Sequence, residues 1–146
     1  PVASGDGSQS SQSDGSQTKR NDSLEVTISG VTTKQTVGTS LMTAEAGEDN
    51  VYLAVRWKYT NLTATPLDIS TMPELTLVDQ NGSVYESDHF ADSYYSDQLK
   101  IPTRMNANPG LKIAQASVFE IGADQYKSSK WRLIVNGDDS LSFVVQ

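Results

Sequence analysis

Residues 51–60 read Val51-Tyr52-Leu53-Ala54-Val55-Arg56-Trp57-Lys58-Tyr59-Thr60, and their alternation decides the fold. Val51, Leu53, Val55, Trp57 and Tyr59 project to one side; Tyr52, Ala54, Arg56, Lys58 and Thr60 project to the other. Successive side chains of a strand alternate between faces, so this is a strand with one buried and one wetter face. At roughly 3.3 Å per residue it crosses a whole small domain. Burying large side chains of this kind contributes about 1.5–3 kcal/mol each, before chain entropy is subtracted. No other segment places so much apolar bulk on one face, which makes 51–60 the expected central strand.

Working outward, residues 23–31 predict a first strand, with Leu24, Val26 and Ile28 alternating against Glu25, Thr27 and Ser29. Residues 32–49 are polar and mixed, broken by Gly38 and Gly47, with a short edge strand expected near Thr36–Met42. Downstream, Pro66 and Pro73 bracket a short segment at Leu67–Ser70, and Glu74–Asp79 and Ser83–Ser87 form a hairpin. A three-residue loop Gln80-Asn81-Gly82, with Gly82 left-handed, sets Leu77 opposite Tyr85; a two-residue Asn81-Gly82 loop sets it opposite Glu86. The first register keeps Leu75, Leu77 and Tyr85 on one face and is preferred.

Residues 88–100 read as a loop, with at most a helical turn. Pro109-Gly110 marks a turn before a strand at Lys112–Ile121, whose bulky members are Ile113, Phe119 and Ile121. Its buried face is open, because Ala114, Ala116 and Val118 are apolar too. Trp131–Val135 and Leu141–Val145 predict a closing hairpin that sets Leu133 against Phe143 and Trp131 against Val145. About seven strands, with no amphipathic helix longer than two turns, indicate an all-β fold. The expected architecture is an antiparallel immunoglobulin-like β-sandwich over residues 23–146. Residues 1–22 begin with a Ser-, Gly- and Gln-rich stretch that cannot bury enough surface to order itself, and they are expected to be a disordered linker.

The 146-residue chain is long enough for a real core, and its mean hydropathy of −0.43 and net charge of −7 describe a polar, acidic molecule. An acidic surface argues against nucleic acid as a partner. No run of 18 apolar residues occurs, and residues 1–22 contain no apolar core of a signal peptide. The absence of Cys excludes disulfides, thiolate metal sites and a Cys nucleophile.

His89 is the one histidine and stands among Asp88, Asp92 and Asp97. A metal centre needs three or four converging ligands, so a solvated polar loop is the expected reading and no metal or cofactor is assigned. A nucleophilic triad would need the same His beside a Ser and an acid, and no Gly-x-Ser-x-Gly occurs. Asp79-Gln80-Asn81-Gly82 has the look of a calcium loop, but the twelfth position is Phe90 rather than Glu, and a hairpin turn explains it. Asn21, Asn61 and Asn81 begin glycosylation-type triplets, and the last two sit where turn chemistry already favours Asn. Phe90, Tyr94 and Tyr95 are the candidate binding residues, either as a semi-exposed recognition patch or as a cap on one end of the sandwich.

Taken in order, Val51–Asn61, Pro73–Leu77 with Val78-Asp79-Gln80-Asn81-Gly82 and Tyr85, Asn108-Pro109-Gly110, Val118-Phe119-Glu120-Ile121 and Trp131–Val135 carry a resemblance. Together they resemble a domain-of-unknown-function family of bacterial cell-surface lipoproteins, whose immunoglobulin-like sandwich is similar to the immunoprotective extracellular proteins. The resemblance covers residues 23–146, with 88–107 as an insert outside it. It implies export, tethering through the polar N-terminal stretch to a lipid-modified Cys upstream, and no activity. The expected function is a non-catalytic extracellular or cell-surface domain that binds a protein or other envelope partner, with membrane association only through that anchor. The alternatives are a spacer domain without a ligand and, behind it, an envelope hydrolase or metal-binding protein. Strand faces fully used by packing are expected to leave no cleft for catalysis.

Overall fold

The structure is a computed structural model that describes residues 16–146. In chain order its elements are β1 (Gln17–Arg20), β2 (Leu24–Lys34), β3 (Thr36–Gly38), β4 (Thr43–Glu45), β5 (Asn50–Asn61), β6 (Leu67–Asp68), β7 (Leu75–Val78) and β8 (Val84–Tyr85). Helix α1 (His89–Gln98) follows, then β9 (Asn106–Ala107), β10 (Lys112–Gly122), β11 (Arg132–Val135) and β12 (Ser142–Val144). One sheet runs β1-β2-β5-β10 and the other β12-β11-β7-β8, with two small ladders, β3-β4 and β6-β9, outside them. Every pairing is antiparallel.

The stretch 51–60 is the spine of the first sheet, because β5 pairs along its length with β2 on one side and β10 on the other. Leu53, Val55, Trp57 and Tyr59 lie between the sheets with Leu24, Val26, Ile28, Ile113, Phe119 and Ile121. The second sheet supplies Leu75, Leu77, Leu133 and Phe143 to the same core. Alternation drives this directly: each strand turns its apolar set inward and β5 is gripped from three sides.

Turn chemistry sets the registers as expected. Leu77 pairs with Tyr85, and the loop 80–82 closes with Gly82 at φ 87°. That register brings Tyr85 onto Trp131, with ring centroids 5.2 Å apart and planes 19° off parallel. In the last hairpin Leu133 pairs with Phe143, and the Val145 N–H donates to the Trp131 carbonyl at 2.9 Å.

Three expectations are corrected, and the open question of the buried face of β10 is answered. Residues 88–100 hold a ten-residue helix of nearly three turns rather than a loop. The face of β5 bearing Tyr52 and Ala54 is not wet at that end; Tyr52 is 2% exposed, because α1 and the β3–β4 hairpin cover it. β10 is apolar on both faces for the same reason, with Ala116 and Val118 under the helix and Ile113, Phe119 and Ile121 in the main core. Residues 17–20, placed in the linker, form β1, an edge strand whose polar side chains bond across to β12; residues 1–15 of that linker lie outside the described residues.

Candidate functional site

The three aromatic candidates do not form one surface. Tyr95 is 4% exposed and packs with Ala91, Tyr52 and Val118 under the helix. Tyr94 is half-buried against the same cluster, and Phe90 is 74% exposed. Other exposed apolar side chains nearby are Leu41 and Met42, at the tip of the β3–β4 hairpin. That hairpin meets the far end of α1, where the Gly38 N–H donates to Gln98 Oε1. Phe90 and Gln98 are eight residues apart, about 12 Å along the axis, so these exposed groups are separate points.

A different feature emerges from the two sides of the sandwich. On the β1/β12 side the sheets are stitched together. Gln17 Nε2 donates to the Val144 carbonyl at 2.8 Å, Lys19 Nζ donates to the Ser142 carbonyl at 2.6 Å, and Asn21 Nδ2 donates to Asp138 Oδ2 at 2.7 Å. On the β10 side the α1 region bonds to the strand edge at Val118, and beyond that point α1 and the segment 101–104 leave the edge without a hydrogen bond. Between them lies a cleft of about 420 Å³, so the strand faces are not fully used by packing there. Its size lies in the usual range of ligand clefts, ~300–1,000 Å³.

The cleft draws on five separated pieces of chain. Trp57 and Leu75 come from the sheets, Ile69, Met72 and Glu74 from the connection between them, and Ser87, His89, Asp92, Ser93 and Asp97 from the region of α1. Ile101 and Arg104 form the outer wall, and Gln115, Ala116 and Ser117 come from β10. Trp57 Nε1 donates to Ser117 Oγ at 3.0 Å, which fixes the indole at the inner wall. Glu74, Asp97 and Arg104 are exposed. Among the described residues their side chains make no hydrogen bond or ion pair.

Asp92 is bound differently. Its Oδ1 accepts the Val118 N–H at 2.6 Å, and its Oδ2 accepts the Ser87 hydroxyl at 2.7 Å. Burial pushes its carboxyl up to about 6, against the opposing pull of those two hydrogen bonds. The helix reaches this position because Asp88 caps it, accepting the Phe90 and Ala91 N–H groups on Oδ1, while the Asp88 N–H donates to the Val118 carbonyl at 2.8 Å.

His89 Nδ1 lies 4.0 Å from Asp92 Oδ2, and its side chain is 89% exposed. The order of groups is therefore Ser87–Asp92–His89. In a hydrolytic triad the imidazole stands between the hydroxyl and the acid, where it can take the hydroxyl proton. Here the acid stands in the middle. Among the described residues no group of three or more His, Asp or Glu is placed to hold a metal ion.

Of the residues named from sequence, His89, Asp92 and Asp97 meet at this cleft, whereas Phe90, Tyr94 and Tyr95 do not line it. Glu74, Arg104 and the β10 edge had no local signal, since their role comes from being brought together.

No family model matches the chain. Uncharacterized protein YxkC of Bacillus subtilis is 28% identical over 124 residues, which is 83% of this chain and 69% of that protein. Among solved structures, a conserved hypothetical protein from Bacillus anthracis superposes with TM-score 0.77 at 22% identity, covering 89% of this chain and 92% of its own. An uncharacterized β-sandwich protein from Clostridium difficile 630 gives TM-score 0.54 at 16% identity, over 88% of this chain and 87% of that one. The "putative lipoprotein" ycdA of Bacillus subtilis gives 0.50 at 18%, over 89% of this chain but 37% of its own. These likenesses establish a mostly β, antiparallel sandwich shared with bacterial proteins of undescribed role.

Proposed function

We propose that the chain is a non-enzymatic, immunoglobulin-like binding domain of the bacterial cell surface, lipid-anchored in its precursor, and that its ligand occupies the cleft beside β10. The likeness to ycdA, described as a "putative lipoprotein", supports the location. The asymmetry of the sandwich carries the binding reading: one side is stitched shut, and the other holds a cleft of about 420 Å³ bordered by carboxylates and a guanidinium that the fold leaves without partners. A spacer domain gains nothing from such a gap. The arrangement Ser87–Asp92–His89 supports a non-catalytic reading, because the imidazole is not beside the hydroxyl it would have to deprotonate.

Ser93 is exposed on α1 and lines the cleft, so Ser93→Trp fills the space without touching the core. Immobilised wild type should retain a component of envelope extract that Ser93→Trp, at unchanged melting temperature, does not. Equal retention by both proteins places the interaction elsewhere and overturns the cleft reading; retention by neither favours the spacer.

A further inference from the structure

We propose that the cleft takes an extended peptide segment carrying a basic side chain, which adds as a strand to the free edge of β10 at Ala114 and Ala116. This rests on the cleft being the binding site.

The register of the sheet identifies the free groups. The Val118 N–H donates outward to Asp92 Oδ1 and the Val118 carbonyl accepts from the Asp88 N–H, so both point away from β5. Val118 faces Ala54 across the ladder. In an antiparallel ladder, inward- and outward-bonding residues alternate, so Ala116 and Ala114 also direct their N–H and C=O groups away from β5. The helix region bonds to the edge at Val118 alone; the Ala116 side chain packs under α1, but the helix makes no hydrogen bond to the Ala116 backbone. Ala116 lines the cleft and Ala114 is exposed. Among the described residues no backbone or side-chain group bonds to their outward groups. The segment 101–104 lies across the gap without pairing to the edge; its Ile101 N–H goes instead to the Ser96 carbonyl.

An open edge is a template for another strand, and proteins normally blunt it. This one is blunted on one side of a gap and left open within it. Strand addition also suits the gap's walls. Backbone groups of the added segment meet Ala114 and Ala116, while alternate side chains point to opposite faces. Glu74 and Asp97 stand at the cleft without an ion pair and outnumber its one guanidinium, Arg104, so a lysine or arginine on the segment completes the second carboxylate. A second copy of this chain is a poorer occupant: α1 interrupts the edge at Val118, and two chains of net charge −7 repel.

The probe is the blocked pentapeptide acetyl-Thr-Val-Lys-Val-Thr-amide, titrated into ¹⁵N-labelled full-length chain. Amide shifts centred on Ala114 and Ala116 are expected. Binding should weaken about tenfold when Lys is replaced by Glu, and about tenfold when the backbone nitrogens of the two Val residues are methylated. Ala114→Pro removes one edge donor at a position where edge strands accept proline, and should weaken binding at unchanged melting temperature. The Glu74→Gln/Asp97→Asn double variant should abolish the preference for Lys over Glu. Binding that survives N-methylation, or shifts confined to other residues, overturns strand addition. A concentration-dependent dimer lost in Ala114→Pro overturns it in favour of a second copy. If the peptide fails but retention of an envelope component still depends on Ser93, strand addition falls and the cleft reading stands; if both fail, both fall.

Discussion

The Asp92 carboxylate accepts the backbone N–H of Val118 at 2.6 Å, so a helix that the sequence barely announces is tied to the edge of the central sheet by one side chain. The same bond blunts β10 at Val118 and leaves the strand open at the cleft. It therefore sets the border of the candidate site as well as the position of α1.

Asp92 also makes stability depend on pH in an unusual direction. Its folded carboxyl titrates at about 6, above the ~3.9 of an unfolded Asp, so the folded state binds the proton more tightly. The folded state therefore loses stability as pH rises from about 4 to about 6 and nothing further above that, up to roughly 3 kcal/mol in all. Asp92→Asn keeps an oxygen for the Val118 N–H and presents an amide donor to Ser87. It should be more stable than wild type at pH 7, and the two should converge near pH 4 in urea unfolding. A wild-type advantage at pH 7 would contradict the assignment.

Tyr95 and Phe90 should respond very differently to truncation. Tyr95→Ala removes a buried ring from the cluster under α1 and should cost about 3 kcal/mol. Phe90→Ala removes an exposed ring and should stay within about 0.5 kcal/mol. Thermal melts of both single variants check this, and comparable losses would mean that α1 is seated differently.

Asn61 is fully buried, and its amide partners are all fixed. Nδ2 donates to the Thr65 and Ala107 carbonyls, both at 2.9 Å, while Oδ1 accepts from the Thr63 N–H and hydroxyl at 2.9 and 2.6 Å. Asn61→Asp turns the donor end into an oxygen facing two carbonyls. It should cost about 3 kcal/mol at neutral pH, and less at low pH, where the protonated acid recovers one donor. A loss that does not shrink on acidification would contradict this. The same burial removes Asn61 from the surface as a glycan acceptor in the folded chain.

Gly82 sits at φ 87° with open space around a Cβ. Gly82→Ala should therefore cost about 1–2 kcal/mol through backbone strain alone, and Gly82→Asn less, since Asn tolerates the left-handed region. Denaturation midpoints at constant slope test this; equal losses for the two would point to a steric cause.

Strand alternation and turn chemistry are local properties, and they were readable in the chain. Leu24, Val26 and Ile28, the odd residues of 51–59, the Leu77–Tyr85 pairing and the Leu133–Phe143 pairing all follow from a period of two and from where Gly and Asn permit a reversal. Helix α1 was not readable, because only Ala91 and Tyr95 of its ten residues are buried and its apolar stripe is thin. What holds it is a platform of Tyr52, Ala54, Ala116 and Val118 from two distant strands. β1 was missed for a related reason: its polar residues look like linker until Ser142 and Val144 offer carbonyls to Lys19 and Gln17.

The long strands β2, β5 and β10, the hairpins β7–β8 and β11–β12, and the inward faces of β2 and β5 were thus written in the order of residues, because a pleat imposes its period on any chain that buries one side. The cleft was settled by folding alone. Glu74, Asp97, Arg104 and the edge of β10 lie on four separate segments, and no local pattern states how close a helix and a loop will come to the edge of a strand.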